Sequence, residues 1–326
     1  LEASGHDQGY ALVLDCVDGA LAYELTRQSD LYVCAVFDDA QKLQQARDAY
    51  QRTGVHLNRI VTLQRAADEA LPLPAFFADL VVSENTARGG ELPTTFAHLE
   101  RHVTPIRGVA LFGGGKDEAA VKQWITENNQ QKWELVRRDG HWAKWTRPAL
   151  ADAGKWTHMY GDAGRTLCSH DRALKAPLGV VWYGEPQVRW GTMQTPLIIN
   201  GILVNPDAHA LEGFDQYTGR KLWRTEAANI GAAAEQLAAS DKHIYIKYDK
   251  VLVQLDLLTG KEVASFHTQF GKEHGWNWFA VSDDGKTVYG ATAGGIFASE
   301  MESGEGNLRW KHGGPAMEEK IGGMIA

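Results

Sequence analysis

A short motif returns at near-constant spacing through the C-terminal half of the chain, and few folds are open to a periodic sequence. Asp215, Thr218, Gly219 and Trp223 make the first copy. Asp256, Thr259 and Gly260 make the second, with Ala264 at the tryptophan position and Phe266 two residues on. Ser303, Gly304 and Trp310 make the third, after a two-residue insertion. Thr218 precedes Thr259 by 41 residues and Thr259 precedes Ser303 by 44, the length of one four-stranded unit. A strand ending in Asp, a tight turn closed by Thr/Ser-Gly and a strand carrying Trp make a β-hairpin. Gly supplies the positive φ of the turn, and Asp or Thr caps its backbone. One such unit cannot bury its own faces, so the aromatic should dock between neighbours.

These residues resemble the repeat of quinoprotein-type (PQQ-like) β-propellers. The lead-in from Trp156 to Thr166 is similar to the start of such propellers, and Leu178–Tyr183 is similar to an outer blade strand. The resemblance implies three blades, at about 196–229, 232–270 and 277–314, and a strand at 178–183 that closes the ring. Rings of this kind need about four to eight blades, so the remainder is expected from chain downstream of Ala326. A quinone enzyme of this family would show adjacent cysteines, a Trp floor and Asp, Glu or Asn ligands for calcium. No Cys-Cys pair occurs here. The expectation is therefore a propeller without PQQ that offers its face to a protein or glycan partner. The propeller lipoprotein of the bacterial outer-membrane assembly machine is a binding platform of that kind; a PQQ-dependent dehydrogenase is the alternative.

Residues 1–150 read differently from 151–326. Apolar runs at 10–15, 31–37, 59–63, 79–83 and 108–112 alternate with helical patterns at 19–28, 39–53, 94–102 and 117–128. Strands alternating with helices imply a parallel α/β sheet. A hairpin around Asp139-Gly140 follows, so the fold class is α/β plus all-β.

The run Val13-Leu14-Asp15-Cys16-Val17-Asp18-Gly19-Ala20-Leu21 resembles the first motif of class I S-adenosylmethionine-dependent methyltransferases, an acid followed by three alternating glycines. Asp15 and Gly19 match; Val17 and Leu21 replace the other glycines, where close approach of ligand normally excludes a side chain. Phe37 stands at the family's ribose-binding acid, with Asp38 one residue late, and Ala66 stands at the adenine-reading Asp. Ala78–Ser83 matches the fourth-strand motif, and Val103–Gly108 is a weakened Pro-Gly-Gly turn. A buried ribose carboxylate and an adenine hydrogen bond are each worth about 1–3 kcal/mol. Losing both implies a methyltransferase-like fold that binds no S-adenosylmethionine (SAM) and does not methylate. The competing reading is a working methyltransferase whose pocket is rebuilt from Asp38, Asp39, Glu84 and Asn85.

Composition excludes several classes. A net charge of −8 with no basic stripe argues against nucleic acid as a partner. Nothing approaches the roughly 18 consecutive apolar residues of a membrane span. No signal peptide is visible at Leu1, so the compartment, periplasmic or otherwise exported with cytoplasmic as the alternative, follows from the propeller resemblance alone. Cys16, Cys34 and Cys168 form no C-x-x-C and are expected to be free thiols. His158 with Asp162, His170 with Asp171, His209 with Glu212 and His267 with His274 lack a third ligand at a recognised spacing and read as turn or surface histidines, with no metal site. Trp276 and Trp278 alternate at a strand start, facing either a core or a channel mouth.

Overall fold

A computed structural model of the chain describes residues 1–66, 70–93, 96, 98–115, 117–128, 132–184, 186, 196–207, 210–226, 237–248, 250–268, 270, 275–301 and 307–312. It divides into two compact units, Leu1–Ala149 and Leu150–Ala326.

The N-terminal unit is a seven-stranded sheet. Its strands are β1 (Gln8–Leu14), β2 (Asp30–Phe37), β3 (Ile60–Gln64), β4 (Leu80–Ser83), β5 (Val109–Gly113), β6 (Glu134–Arg137) and β7 (His141–Thr146). They lie in the order β3-β2-β1-β4-β5-β7-β6, parallel except for β7 and β6. The central strands are apolar on both faces because both faces are covered. Ala11 and Val13 face one core, where Ala22 and Leu25 of α1 (Ala20–Gln28) pack beside Leu43, Ala46 and Tyr50 of α2 (Ala40–Arg52). Leu12 and Leu14 face the other, an aromatic core of Phe96, Phe112, Trp133, Trp145 and Trp124 from α4 (Glu118–Glu127). Between β4 and β5 the chain forms α3 (Glu84–Ala87), directly after β4. The helix expected over 94–102 is not formed among the described residues of that stretch. A single 3-10 turn at Glu100–His102 takes its place, and it buries the His102 ring, whose Nδ1 lies 2.8 Å from the Pro74 carbonyl.

Among the described residues the C-terminal unit holds three four-stranded antiparallel sheets of sequential order. The first is β8 (Leu197–Ile199), β9 (Ile202–Pro206), β10 (Ala210–Asp215) and β11 (Lys221–Glu226). The second is β12 (Leu237–Ala239), β13 (His243–Tyr248), β14 (Val251–Asp256) and β15 (Glu262–His267); the third is β16 (Trp278–Val281), β17 (Thr287–Thr292), β18 (Gly295–Glu300) and β19 (Asn307–His312). Among the described residues no sheet closes on itself.

The sequence repeat falls on the turn between the third and fourth strands. Asp215 Oδ1 accepts from the Tyr217 and Thr218 N–H groups at 2.8 and 3.0 Å; Asp256 Oδ1 accepts from Leu258 and Thr259 at 3.1 and 2.8 Å. Gly219 and Gly260 have φ +69° and +65°, and each donates to the carbonyl of its Asp at 2.9 Å. Trp223 Nε1 donates to the Leu257 carbonyl of the next turn at 3.0 Å, and a Cβ on Gly260 would lie 2.5 Å from its ring. Only glycine admits that stacking. Gln254 of β14 pairs with Ala264 at the second copy's tryptophan position. Ser303 and Gly304 lie outside the described residues; Trp310 lies on β19, its backbone paired with Ala298.

Leu178–Tyr183 corrects an expectation, because it forms no strand. Leu178, Val180, Val181 and Tyr183 are exposed. Trp182 alone is docked: its Nε1 donates to the Gln216 carbonyl at 2.9 Å and its ring covers Gly219, as Trp223 covers Gly260. With no neighbouring strand among the described residues, the flanking backbone has nothing to pair with.

The segment Trp156–His158 crosses the first strand of all three sheets. Trp156 exchanges backbone hydrogen bonds with Ile198, the Ala239 N–H donates to the Thr157 carbonyl at 2.8 Å, and the Val281 N–H donates to His158 Nε2 at 3.1 Å. Burial drives the imidazole pKa down to about 4, so it stays neutral and accepts at Nε2. Trp276 is buried against Phe297 and Phe279 and belongs to the core, whereas Trp278 lines a small cavity beside His158.

Candidate functional site

In an open parallel sheet, ligands gather beyond the carboxyl ends of the strands where the strand order reverses, here between β1 and β4. Leu14 pairs with Ser83, so Asp15 and Glu84 leave the sheet side by side. Asp15 has φ +50° and accepts from the Ser83 hydroxyl at 2.8 Å. From Val17 the chain turns into α1, and successive backbone N–H groups converge on one point. Such a nest at a helix start is where a class I fold would receive an anionic ligand group.

The Glu84 carboxylate fills it. Oε2 accepts from the N–H groups of Val17 at 2.7 Å, Asp18 at 3.4 Å and Gly19 at 3.0 Å, while Oε1 accepts from Leu21 at 2.9 Å. The side chain is fully buried, and its charge is balanced by Arg88 Nη2 at 3.2 Å. Arg88 also pairs with Asp18, whose Oδ1 accepts from the Ala20 N–H at 2.9 Å.

Gly19 is occupied in the same way. Its φ is +81°, and a Cβ there would lie 2.0 Å from the Tyr50 hydroxyl, which donates to the Gly19 carbonyl at 2.7 Å, and 3.2 Å from the Phe37 ring. The close approach that demands glycine is thus made by Tyr50. Phe37 is fully buried in the α1/α2 core. Burial pushes the Cys16 thiol and the Tyr50 hydroxyl well above their ordinary values, so both stay neutral.

The site residues read from sequence therefore separate. Asp15, Gly19 and Glu84 come together at one turn. Asp38 stands apart, exposed and 3.9 Å from Lys42, while Asp39 caps α2 by accepting from the Lys42 N–H at 2.8 Å. Ala66 is exposed. Tyr50 and Arg88 belong to the site and are not singled out in sequence: Arg88 follows Glu84 by one helical turn, and Tyr50 arrives from the remote α2. The anion nest holds Glu84, and Phe37, at the position that the sequence resemblance gives to the ribose-binding acid, is buried. Among the described residues no three His, Cys, Asp or Glu side chains gather to hold a metal ion. Cys16 and Cys34 are buried free thiols and Cys168 an exposed one.

The sequence matches no protein-family model. No curated protein matches it at a significant level. Solved structures similar to the chain include methyltransferases. A putative one from Methanococcus maripaludis is 18% identical, covers 46% of this chain and 82% of its own length, and has a TM-score of 0.38. One from Aquifex aeolicus is 15% identical over 44% of this chain and 87% of its own length, at a TM-score of 0.37. A methyltransferase from Pyrococcus furiosus is 13% identical over 44% and 77%, also at 0.37. The methyltransferase-like Rossmann fold of residues 1–149 rests on its own strand order. No helix among the described residues is long and apolar enough to cross a membrane.

Proposed function

We propose that this chain is a non-catalytic binding protein in which a methyltransferase-like domain has become a structural element beside a PQQ-like propeller platform for a protein or glycan. Glu84 carries the first half of the reading. A carboxylate with four backbone donors and an arginine occupies the place a cofactor carboxylate would take, and displacing it would strand a buried charge. The repeat carries the second half. Its equivalent Asp-capped turns, with a Trp of one sheet on the Gly of the next, support radial packing of four-stranded sheets, and the docked Trp182 supports a further blade ahead of β8. The absence of adjacent cysteines from the sequence weighs against a quinone dehydrogenase.

A methyltransferase with altered contacts is the second reading, favoured by the exposed Asp15 carboxylate at the tip of β1. One titration separates them. Calorimetry with SAM should give no binding isotherm at physiological cofactor concentration, and a dissociation constant in the low micromolar range would overturn the proposal.

A further inference from the structure

The loop between Trp156–His158 and the first sheet of the C-terminal unit holds Cys168, His170 and Asp162 in series. The His170 backbone N–H donates to Cys168 Sγ at 3.3 Å, and His170 Nδ1 stands 3.7 Å from the same sulfur. The other ring nitrogen, Nε2, lies 3.4 Å from Asp162 Oδ2. Asp162 is itself fixed, since its oxygens accept from the Thr166 hydroxyl at 2.6 Å and the Thr166 N–H at 3.1 Å. The Thr166 hydroxyl foremost holds this carboxyl below the usual range. Arg165, Leu167 and His170 all have positive φ, at +55°, +58° and +57°. Three non-glycine residues in the left-handed region within one loop are strained, and such strain clusters where geometry serves a function.

Asp162 and His170 also line a cavity of about 330 Å³. Asp241 and Asp283 lie on its wall, and Lys155, on the same wall, is paired with Asp241. The lining is therefore acidic. Asp171 faces the Gly154 and Leu174 N–H groups, and Arg165 lies over the Tyr160 ring. Cys168 is exposed, whereas Cys16 and Cys34 are buried.

We propose that Cys168 is a nucleophilic thiol, activated by His170 with Asp162 as its positioning residue, that exchanges with small cationic disulfides drawn to the acidic cavity. The thiolate is the attacking species. The Sγ proton passes to His170 Nδ1, and Sγ forms a bond to one sulfur of the disulfide as the old S–S bond breaks. The departing thiolate takes the proton from His170. A mixed disulfide on Cys168 and one free thiol result, with no outside oxidant.

The test is intact-mass kinetics at neutral pH on the full chain, with cystamine as the cationic disulfide and glutathione disulfide as the anionic one. One adduct is expected, mapped to Cys168, forming faster with cystamine. His170→Ala should slow it by about tenfold, the worth of one charge-assisted hydrogen bond. Asp162→Asn should slow it by about threefold while Asp162→Glu retains the rate, a split that a merely structural role would not produce. Asp241→Asn with Asp283→Asn should narrow the preference for cystamine. His170, Asp241 and Asp283 are exposed, so their variants should melt with the parent. Equal rates for the parent and His170→Ala, an adduct on Cys16 or Cys34, or equal rates for the two disulfides would overturn the proposal.

Discussion

Both units contain a tight turn whose backbone N–H groups converge on a carboxylate, but the carboxylate comes from opposite distances. In the C-terminal repeats Asp215 and Asp256 cap N–H groups two and three residues away. In the N-terminal unit Glu84 caps N–H groups 63 to 67 residues away, across the junction of β1 and β4. A local cap holds one hairpin; a remote cap ties two strands and a helix start together and depends on all of them. The first kind can be copied from turn to turn. The second depends on a pairing far along the chain and cannot be copied with the turn.

Replacing the remote cap should therefore cost most. Glu84→Ala leaves four backbone donors without their acceptor and Arg88 with Asp18 alone, and should destabilise the N-terminal unit by about 3–5 kcal/mol in denaturant titration. A loss below about 1 kcal/mol would erase the distinction between the two kinds of turn.

Next in size is Gly19→Ala, at about 3 kcal/mol, from positive φ plus overlap with the Tyr50 hydroxyl. Pairing it with Tyr50→Phe should recover part of the loss. If the double variant is no more stable than Gly19→Ala alone, Tyr50 is not what fills the turn.

Acid sharpens the contrast through His158. Its folded pKa of about 4 lies below its ordinary 6.5, so the unfolded chain binds the proton first as pH falls. This contribution is complete above pH 6.5, declines as pH falls through that window, and is gone below about pH 4. The total is about 3 kcal/mol at most. His158→Gln, which still offers an acceptor to Val281, should flatten that part of the profile. In the N-terminal unit Arg137, then Lys122, holds the Glu118 carboxyl at about 2, so the stability it adds is lost only as pH drops from about 4.5 toward 2.

The smallest effects belong to the local caps. Asp215→Ala should cost about 1–2 kcal/mol, because Asp215 is fully buried. Asp256→Ala should cost about 0.5–1 kcal/mol at its more open turn. Equal losses in thermal melts would show that burial does not grade the two copies.

The sequence by itself determined the two-part organisation, the α/β pattern of the first unit and the repeat of the second. Those features rest on neighbours: alternation of apolar runs, caps such as Asp39 and Asp117, and Asp-x-x-Thr-Gly turns that close within five residues. It also put Asp15, Gly19 and Glu84 on the list for one site. It could not say that Glu84 turns inward to occupy the nest while Asp38 turns outward, because that depends on the pairing of Leu14 with Ser83 far along the chain. Nor could it show why position 19 must be glycine, since the crowding group, Tyr50, arrives on α2. Leu178–Tyr183 fails as a strand for the same physical reason. An apolar run has strand propensity, but a strand exists only where another backbone supplies its hydrogen bonds, and among the described residues only the indole of Trp182 found a partner.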